Sequence, residues 1–395
     1  MYRKIIAFIC VFSLFFSFAF AEEADDSHFG EDDVDITELL NIVQEETAKD
    51  KKDSDGAYIM TVTCTGDFTI GDSHHKKKSF NTELMKTHDG DINFVMQNVR
   101  DLFLNDDLTI LNFEGTLTPD DTPAPKDKKN NEFLFSIDPE YVSVLSDNGV
   151  EAVSLDNNHV WDYGEEGLAN TKAALDGAGV IYSTPVDTGV YSFKNEIQVA
   201  MLSWNCIDRY GDGFKKEKFR REYTKDFLQH DTFEEAVCDE IRKAKEIYPL
   251  VIVSFHWGNE LMYVPTDNQT RIGRMAAEAG ADLIIGNHSH RIQPIERVGN
   301  SFICYSLGNF CFAGNNKPSD MTSIIFQIRF RVKEGVVSYK DFRVVPIRIS
   351  SNKDANNYIP TIFEDGYSRD SVLNTLKDNS KGLPYAVTEY PLEFQ

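Results

Sequence analysis

Apolar runs alternate with stretches of helical period through the middle of this chain. The runs are typical of buried strands and cover residues 58–64, 108–111, 152–155, 198–203, 250–253 and 281–285. Apolar residues at helical spacing predict helices over residues 138–147, 166–178, 232–247 and 268–279. This alternation predicts an α/β fold in which helices cover the sheets.

The pattern changes after Glu296, where short strands follow one another. Strands are predicted over residues 301–305, 322–330 and 336–346, with turns at Gly299-Asn300 and Glu334-Gly335. We expect these strands to form the second, more antiparallel sheet of a four-layer αββα sandwich. Residues 349–395 follow as a C-terminal tail with a helical segment around residues 370–376.

Side chains that can bind metal ions follow five of the predicted strands. In chain order they are Asp67, Glu114, the pair Asn158 and His159, His256, and the pair His288 and His290. In an α/β sheet the carboxyl ends of the strands form the edge where ligands bind, so we expect these side chains to meet. One histidine alone is usually a hydrogen-bonded imidazole. Because four of the nine histidines stand at strand ends, the sequence predicts one polynuclear metal site.

The order of these motifs resembles that of a known family. The motifs are Gly66-Asp67, Asn112-x-Glu114, Asn157-Asn158-His159, His256-Trp257-Gly258-x-Glu260, Gly286-x-His288-x-His290 and Tyr305-Ser306-Leu307-Gly308-Asn309-Phe310. Together they resemble the capsule-synthesis (CapA-type, poly-γ-glutamate) branch of the calcineurin-like metallophosphoesterase superfamily. The resemblance covers roughly residues 58–347 and implies an αββα sandwich of the metallophosphoesterase type.

The resemblance also implies two divalent metal ions. The first ion would be held by Asp67, Glu114 and His290. The second would be held by Glu114 as a bridge, Asn158, His256 and His288. His159 would bind no metal and would act on the substrate as a general acid or a hydrogen-bond donor. Carboxylate, imidazole and amide donors suit Mn, Fe or Zn.

The chain departs from the wider superfamily at two positions. The superfamily motif Asp-x-His reads Asp67-Phe68-Thr69 here, which removes a histidine ligand from the first ion. The bridging carboxylate is Glu114 in place of Asp, a feature shared with the capsule branch. Two functions therefore stay open. One is a metal-dependent hydrolase that acts on a phosphoester or a polymer amide in capsule polymer synthesis or processing. The other is a non-catalytic assembly or export component that binds anionic polymer with the same fold.

The charge of the chain limits its partners. There are 40 Lys and Arg residues against 64 Asp and Glu residues, and the net charge of −24 argues against nucleic acid. We expect an anionic polymer or phosphoester substrate, and membrane-bound capsule synthase subunits as partners. An Arg- and Lys-rich insertion over residues 206–227 could supply a local positive surface. The loop over residues 118–131 is interpreted either as a wall of the site or as a solvated insertion.

The N-terminus has the form of a secretory signal. Residues 1–21 combine Arg3 and Lys4, an apolar run and the small-residue site Ala19-Phe20-Ala21, which predicts a cleaved signal and a secreted, cell-surface or periplasmic protein. An uncleaved anchor is the alternative. Residues 22–57 are interpreted as an acidic spacer with a short helix over residues 36–43, and residues 58–348 as the domain proper.

The cysteines do not indicate a disulfide framework, because five remain outside the apolar N-terminal run. Cys304 and Cys311 could pair across the turn between them, but the sequence favours free buried thiols.

Overall fold

A computed structural model describes residues 52–73, 79–119, 122, 133–207 and 224–395. The predicted signal, the helix over residues 36–43, most of the acidic spacer, and most of the 118–131 loop and the 206–227 insertion lie outside the described residues. Within the described ranges, no helix is long and apolar enough to cross a membrane.

The strands are numbered in chain order. They are β1 (Tyr58–Thr69), β2 (Asp72–Ser73), β3 (Leu108–Phe113), β4 (Thr116–Leu117), β5 (Phe135–Ile137), β6 (Ala152–Ser154), β7 (Ile181–Ser183), β8 (Gly189–Phe193), β9 (Ile197–Asn205), β10 (Leu250–His256), β11 (Leu283–Asn287), β12 (Ile295–Val298), β13 (Ser301–Cys304), β14 (Asn309–Phe312), β15 (Thr322–Lys333), β16 (Val336–Arg348) and β17 (Thr361–Ile362).

The α-helices are numbered in the same way. They are α1 (Phe80–Thr87), α2 (Arg100–Leu104), α3 (Ser143–Ser146), α4 (Gly164–Ala178), α5 (Phe233–Ile247), α6 (Asp267–Ala279) and α7 (Gly366–Asn379). Short 3₁₀ segments cover Ile92–Met96, Pro139–Val142 and Phe227–Gln229.

The predicted helices are present with small shifts at their ends. Helices α5 and α6 begin at capping boxes, in which Thr232 pairs with Glu235 and Thr266 with Gln269. Helix α4 ends at Gly179, whose φ of +70° gives the left-handed conformation that glycine accepts. The segment predicted over residues 138–147 starts at the Asp138 cap, as expected, but divides into a 3₁₀ turn and the short helix α3.

Two large sheets carry the fold. The first has the order β17-β16-β15-β1-β3-β6-β7, and β14 also pairs with β1. The second has the order β12-β13-β11-β10-β9-β8. In each sheet the central strands run parallel, so that their carboxyl ends lie on one edge. A small third sheet has the order β2-β5-β4.

Three apolar clusters separate four layers. Alternate residues of β10 point to opposite faces: Leu250 and Ile252 lie in the cluster between the two sheets, and Val251 and Val253 lie in the cluster under α5 and α6. The outer face of the first sheet packs on a third cluster that includes α1 and α4 residues. The predicted four-layer αββα sandwich is therefore confirmed.

The placement of the C-terminal strands differs from the expectation. Strands β15 and β16 form an antiparallel hairpin that joins the first sheet, where Tyr58 of β1 pairs with Val332. Of the strands that follow β11, β12 and β13 belong to the second sheet. The expectation that all of these strands lie in the second sheet is wrong, because apolar alternation identifies a strand but does not select the sheet edge on which it pairs.

Residues 349–395 pack onto the sandwich. Strand β17 extends the first sheet beyond β16, and Val372, Leu376 and Tyr390 are buried in the cluster between the sheets. The segment that the sequence analysis separates as a tail thus supplies part of the core. The five described cysteines are free and buried, as favoured from the sequence, and they are Cys64, Cys206, Cys238, Cys304 and Cys311.

Candidate metal centre

The carboxyl ends of the parallel strands bring the predicted ligands together. Asp67 of β1 pairs in register with Asn112 of β3, two residues before Glu114. His256 ends β10, and the backbone N–H of His288, just after β11, donates to the Asp67 carboxylate at 3.2 Å. This last bond links the end of the second sheet to the end of the first.

Asp67 and His290 form one half of the cluster. His290 Nδ1 lies 3.2 Å from Asp67 Oδ2 and 2.8 Å from Asn309 Oδ1. Two ligands that each lie about 2.1 Å from one ion are at most about 4.2 Å apart, so the Asp67 and His290 atoms are close enough to share an ion. Asp67 is fully buried, and Asn112 Nδ2 donates to its Oδ1 at 2.8 Å.

His256 is at the centre of the other half. Its Nε2 lies 2.7 Å from Asn158 Oδ1, 3.0 Å from His288 Nδ1 and 3.6 Å from Glu114 Oε1. All three distances are within the spacing of ligands around one ion. The four donors that the resemblance assigns to the second ion are thus found together.

Glu114 gives the clearest indication that the cluster can hold a cation. Both of its carboxylate oxygens are buried, and neither has a hydrogen-bond partner among the residues that the structure describes. Among the described residues, Glu114, His288 and His290 place one ligand atom each within 4.8 Å of one another. A buried carboxylate without partners is unfavourable unless a cation lies beside it, so the residues present fit a metal ion.

Burial and neighbouring charges set the protonation of the cluster. Burial and the negative charge of Asp67 raise the pKa of Glu114 to about 7. Burial and the charge of His290 lower the pKa of His288 to about 4, and burial lowers the pKa of His256 well below its ordinary value. These two imidazoles are neutral at pH 7 and can donate a lone pair to a metal.

His290 behaves differently in the same cluster. Burial alone would lower its pKa, but the carboxylates of Glu114 and Asp67 outweigh burial and raise the pKa to about 9. Without a metal, a protonated His290 therefore partly neutralises the two carboxylates. A metal ion would replace that proton.

The turn after β11 has unusual backbone angles at the two histidines that it carries. His288 has a φ of +88° and His290 a φ of +52°, in the region that residues other than glycine rarely adopt. Ser289 between them is buried, and its hydroxyl donates to the carbonyl oxygen of Arg291 at 2.8 Å. Strain of this kind is concentrated at functional sites.

His159 stands beside the cluster and is oriented by a carboxylate. Its Nδ1 lies 2.7 Å from Oδ2 of Asp162, which also accepts the backbone N–H of Phe135 at 2.9 Å. Burial lowers the pKa of His159, but Asp162 outweighs that effect and the pKa is raised. With Nδ1 committed to Asp162, Nε2 is the nitrogen left for the substrate.

Several polar residues that support the site were not selected as site residues from the sequence. Asn112 bonds Asp67 and also lies 3.4 Å from His256 Nδ1, while Asn157 donates to Asn112 and to the carbonyl oxygen of Phe113. Asn112, Asn157 and Asn309 stand in the motifs quoted above, so motif membership could have identified them. Asp162 stands three residues after His159. This spacing does not predict a contact between the two side chains unless the conformation of the intervening turn is known.

Thr69 occupies the position of the absent superfamily histidine. It ends β1, is fully buried, and its hydroxyl oxygen has no hydrogen-bond partner among the described residues. The threonine that replaces the motif histidine therefore lies in the interior of the fold.

The cluster opens on two clefts. The His159 cleft encloses about 500 Å³ and is lined by Glu114, His159, His290, Glu260, Leu261 and Phe312, among others. The His288 cleft encloses about 670 Å³ and is lined by His288, Gly258, Asn259, Glu260 and Asn268, among others. Glu260 lines both clefts.

These features define a class: an α/β sandwich with a buried cluster of histidines and carboxylates at the carboxyl edge of its strands. Residues 61–314 match the family described as bacterial capsule synthesis protein PGA_cap. The chain belongs to this family, and the resemblance stated from its motifs is confirmed.

Two curated relatives have related names. The chain is 31% identical over 261 residues to the PGA biosynthesis protein CapA of Bacillus subtilis, a match that spans 65% of this chain and 65% of that relative. It is 28% identical over 349 residues to the capsule biosynthesis protein CapA of Bacillus anthracis, covering 85% of this chain and 77% of that relative. Among solved structures, the calcineurin-like phosphoesterase YfkN of Bacillus subtilis aligns with 82% of this chain and 100% of that chain, at 15% identity and a TM-score of 0.41.

Proposed function

We propose that this protein is a metal-dependent hydrolase that acts in the synthesis or processing of poly-γ-glutamate or a similar capsule polymer. The observation that supports this most strongly is the Glu114 carboxylate, which is buried beside His256, His288 and His290 and has no hydrogen-bond partner in the described part of the chain. The relatives named for poly-γ-glutamate and capsule biosynthesis support the choice of polymer.

The proposed centre holds two divalent ions of Mn, Fe or Zn. Asp67, Glu114 and His290 hold the first, and Glu114, Asn158, His256 and His288 hold the second. When bound, two such ions can lower the pKa of a water and stabilise both the attacking and the leaving oxygen of a displacement. Asn112 supports both halves, because it bonds Asp67 and approaches His256.

His159 is the proposed general acid. It lines the same cleft as Glu114 and His290, and Asp162 raises the pKa of its imidazole and fixes its orientation. From this position it can give a proton to the leaving oxygen or nitrogen as the bond breaks, and in a protonated state it can also donate a hydrogen bond to an anionic substrate.

The setting of this activity is proposed from the sequence. The signal-like residues 1–21 favour a secreted, cell-surface or periplasmic protein, whether the segment is cleaved or kept as an anchor. The substrate is then an anionic polymer or a phosphoester met outside the cytoplasm. Membrane-bound capsule synthase subunits are the proposed protein partners, and nucleic acid is disfavoured by the net charge of −24.

A second function is favoured by one observation. Thr69 supplies no imidazole where the superfamily motif has a histidine, which leaves Asp67, Glu114 and His290 as the ligands of the first ion. A weakly held first ion would leave a centre that binds anionic polymer without cleaving it. In that case the protein would act as a non-catalytic component of capsule assembly or export.

One experiment separates these functions. The purified protein is freed of metal, reloaded with Mn, and incubated with a generic phosphodiester and with poly-γ-glutamate, beside a metal-free sample and the His159→Ala variant. A hydrolase would cleave one of the two substrates only when loaded, and the variant would be much slower. Polymer binding without cleavage in any sample would contradict the hydrolase and support the assembly component.

A further inference from the structure

Two clefts reach the proposed metal centre through neighbouring histidines. His290, with Glu114 and His159, lines one cleft, and His288 lines the other, although the ring centroids of the two histidines are only 6.0 Å apart. A ligand in either cleft would therefore reach the same cluster. Each cleft alone has the size of a site for a compact small molecule, about 300 to 1,000 Å³.

Glu260 and Leu261 lie where the two clefts adjoin, and we call this pair the ridge. Glu260 lines both of them, and the neighbouring Leu261 lines the His159 cleft with 57% of its surface exposed. Among the described residues, the Glu260 carboxylate has no hydrogen-bond or ion-pair partner. It is placed to accept a hydrogen bond from an N–H group that crosses the ridge.

The ridge is fixed to the centre itself. The backbone N–H of Leu261 donates to the carbonyl oxygen of Ser289 at 2.7 Å, and Ser289 stands between His288 and His290. Leu261 has a φ of +62°, which a leucine adopts only when its surroundings impose it. Gln293, fully buried, donates to the carbonyl oxygen of Met262 at 2.9 Å. The ridge is thus preformed rather than assembled by a ligand.

The described linings suit a chain with repeated amide groups. Asparagines line both clefts: Asn309, Asn315 and Asn316 in the first, Asn259 and Asn268 in the second. An asparagine side chain both donates and accepts, so it can bond the carbonyl, N–H and carboxylate groups of a γ-glutamyl chain. The apolar surfaces of Leu261 and Phe312 can pack on the methylene groups between those amides.

We propose that an extended polymer chain binds through both clefts at once, crossing the metal centre over Glu260 and Leu261. This inference rests on the proposed function and adds that the centre meets an internal bond of the chain, with substrate bound on both sides. A compact phosphoester would occupy one cleft only. Affinity should therefore rise with chain length until the chain spans both clefts.

The test uses the full protein loaded with Mn and two probes, a γ-glutamyl dipeptide and a γ-glutamyl decamer. Calorimetry measures the dissociation constant of each probe for wild type and for three exposed asparagines changed to tryptophan. Asn316→Trp fills the His159 cleft, Asn268→Trp fills the His288 cleft, and Asn374→Trp on α7 is the matched control that lines neither. Melting temperature and metal content check that each variant is folded and loaded.

The expected result is that the decamer binds wild type more tightly than the dipeptide and loses about tenfold in affinity in each cleft variant, while the control is unchanged. The dipeptide should lose affinity in at most one variant. Three results would overturn the two-cleft path. They are equal affinity for both probes, an unchanged dissociation constant of the decamer in Asn268→Trp, and no binding of either probe. The metal content and phosphodiester cleavage of wild type report separately on the proposed function.

Discussion

At the scale of single residues, Glu114 distinguishes this site from a structural histidine cluster. A buried acceptor without a hydrogen-bond partner costs about 1 to 3 kcal/mol, and within the described ranges both Glu114 oxygens lack such a partner. Asp67, the other buried carboxylate of the cluster, does accept hydrogen bonds, from the Asn112 amide and from the His288 N–H. The two kinds of carboxylate predict different responses to substitution.

We expect Glu114→Gln to lower the occupancy of both metal positions, because one oxygen of the bridge is replaced by an amide nitrogen that cannot bind a cation. Asp67→Asn should mainly empty the first position. Elemental analysis after reloading with Mn measures both changes, and the melting temperature shows whether the variants fold. Full occupancy in Glu114→Gln would contradict the bridging role.

His159 should affect rate rather than metal binding. His159→Ala is expected to keep its metal and to lose activity by on the order of 10²-fold, the typical contribution of a general acid. A loss of metal in proportion to activity would contradict the role assigned to His159.

Asp162 is a positioning residue, and its test is a pH profile. Because Asp162 raises the pKa of His159, the basic limb of the rate profile, where activity falls as the general acid loses its proton, should move to lower pH in Asp162→Asn. If Asp162→Asn lowers the melting temperature but leaves the pH profile unchanged, Asp162 only stabilises the fold, through the hydrogen bond that it accepts from the Phe135 N–H.

Metal affinity should rise with pH. Binding requires Glu114 and His290 to lose protons, and their pKa values are raised to about 7 and about 9 in the metal-free protein. The dissociation constant for Mn should therefore fall between about pH 6 and pH 9, with protons released on binding. Calorimetry in buffers of different ionisation enthalpy counts those protons, and an affinity independent of pH would contradict this protonation.

At the scale of elements, strand ends could be predicted and strand partners could not. Apolar runs located β1, β3, β10 and β11, and the polar residues directly after them form the cluster. The pairing of β15 with β1 was missed, because a twelve-residue strand with buried residues on both faces fits either sheet. The positive φ angles of His288 and His290 were also beyond prediction, since no glycine marks that turn.

One element-scale contact fixes Asp67, and glycine makes it possible. A Cβ atom on Gly66 would lie 1.8 Å from the carbonyl oxygen of Gly308, the same oxygen that accepts the Asp67 N–H at 3.0 Å. Strands β1 and β14 could not approach so closely with a side chain between them.

Gly66→Ala should therefore destabilise the protein by about 3 kcal/mol or more, because backbone and not a flexible side chain must move. Gly177→Ala, in α4 with open space around its Cβ, is the control and should stabilise by about 0.5 to 1 kcal/mol. Urea denaturation measures both. Equal stability of the two variants would show that β14 can shift without cost.

At the scale of the whole molecule, two sheets cooperate to build one site. The ligands come from both sheets, and the bond from His288 to Asp67 joins them. Motif order could predict this convergence, because parallel strands of the sandwich end at a common edge. The two clefts and the ridge between them could not be predicted, since they depend on how loops from distant parts of the chain pack.

The measurement that tests the central claim most directly is the number of metal ions bound per chain. Protein purified without chelator and reloaded in turn with Mn, Fe or Zn is freed of loose metal and analysed for its metal and protein content. We predict about two ions per chain, in keeping with two donor sets that share Glu114. Less than about half an ion per chain with every one of these metals would contradict the metal centre and, with it, the proposed hydrolase.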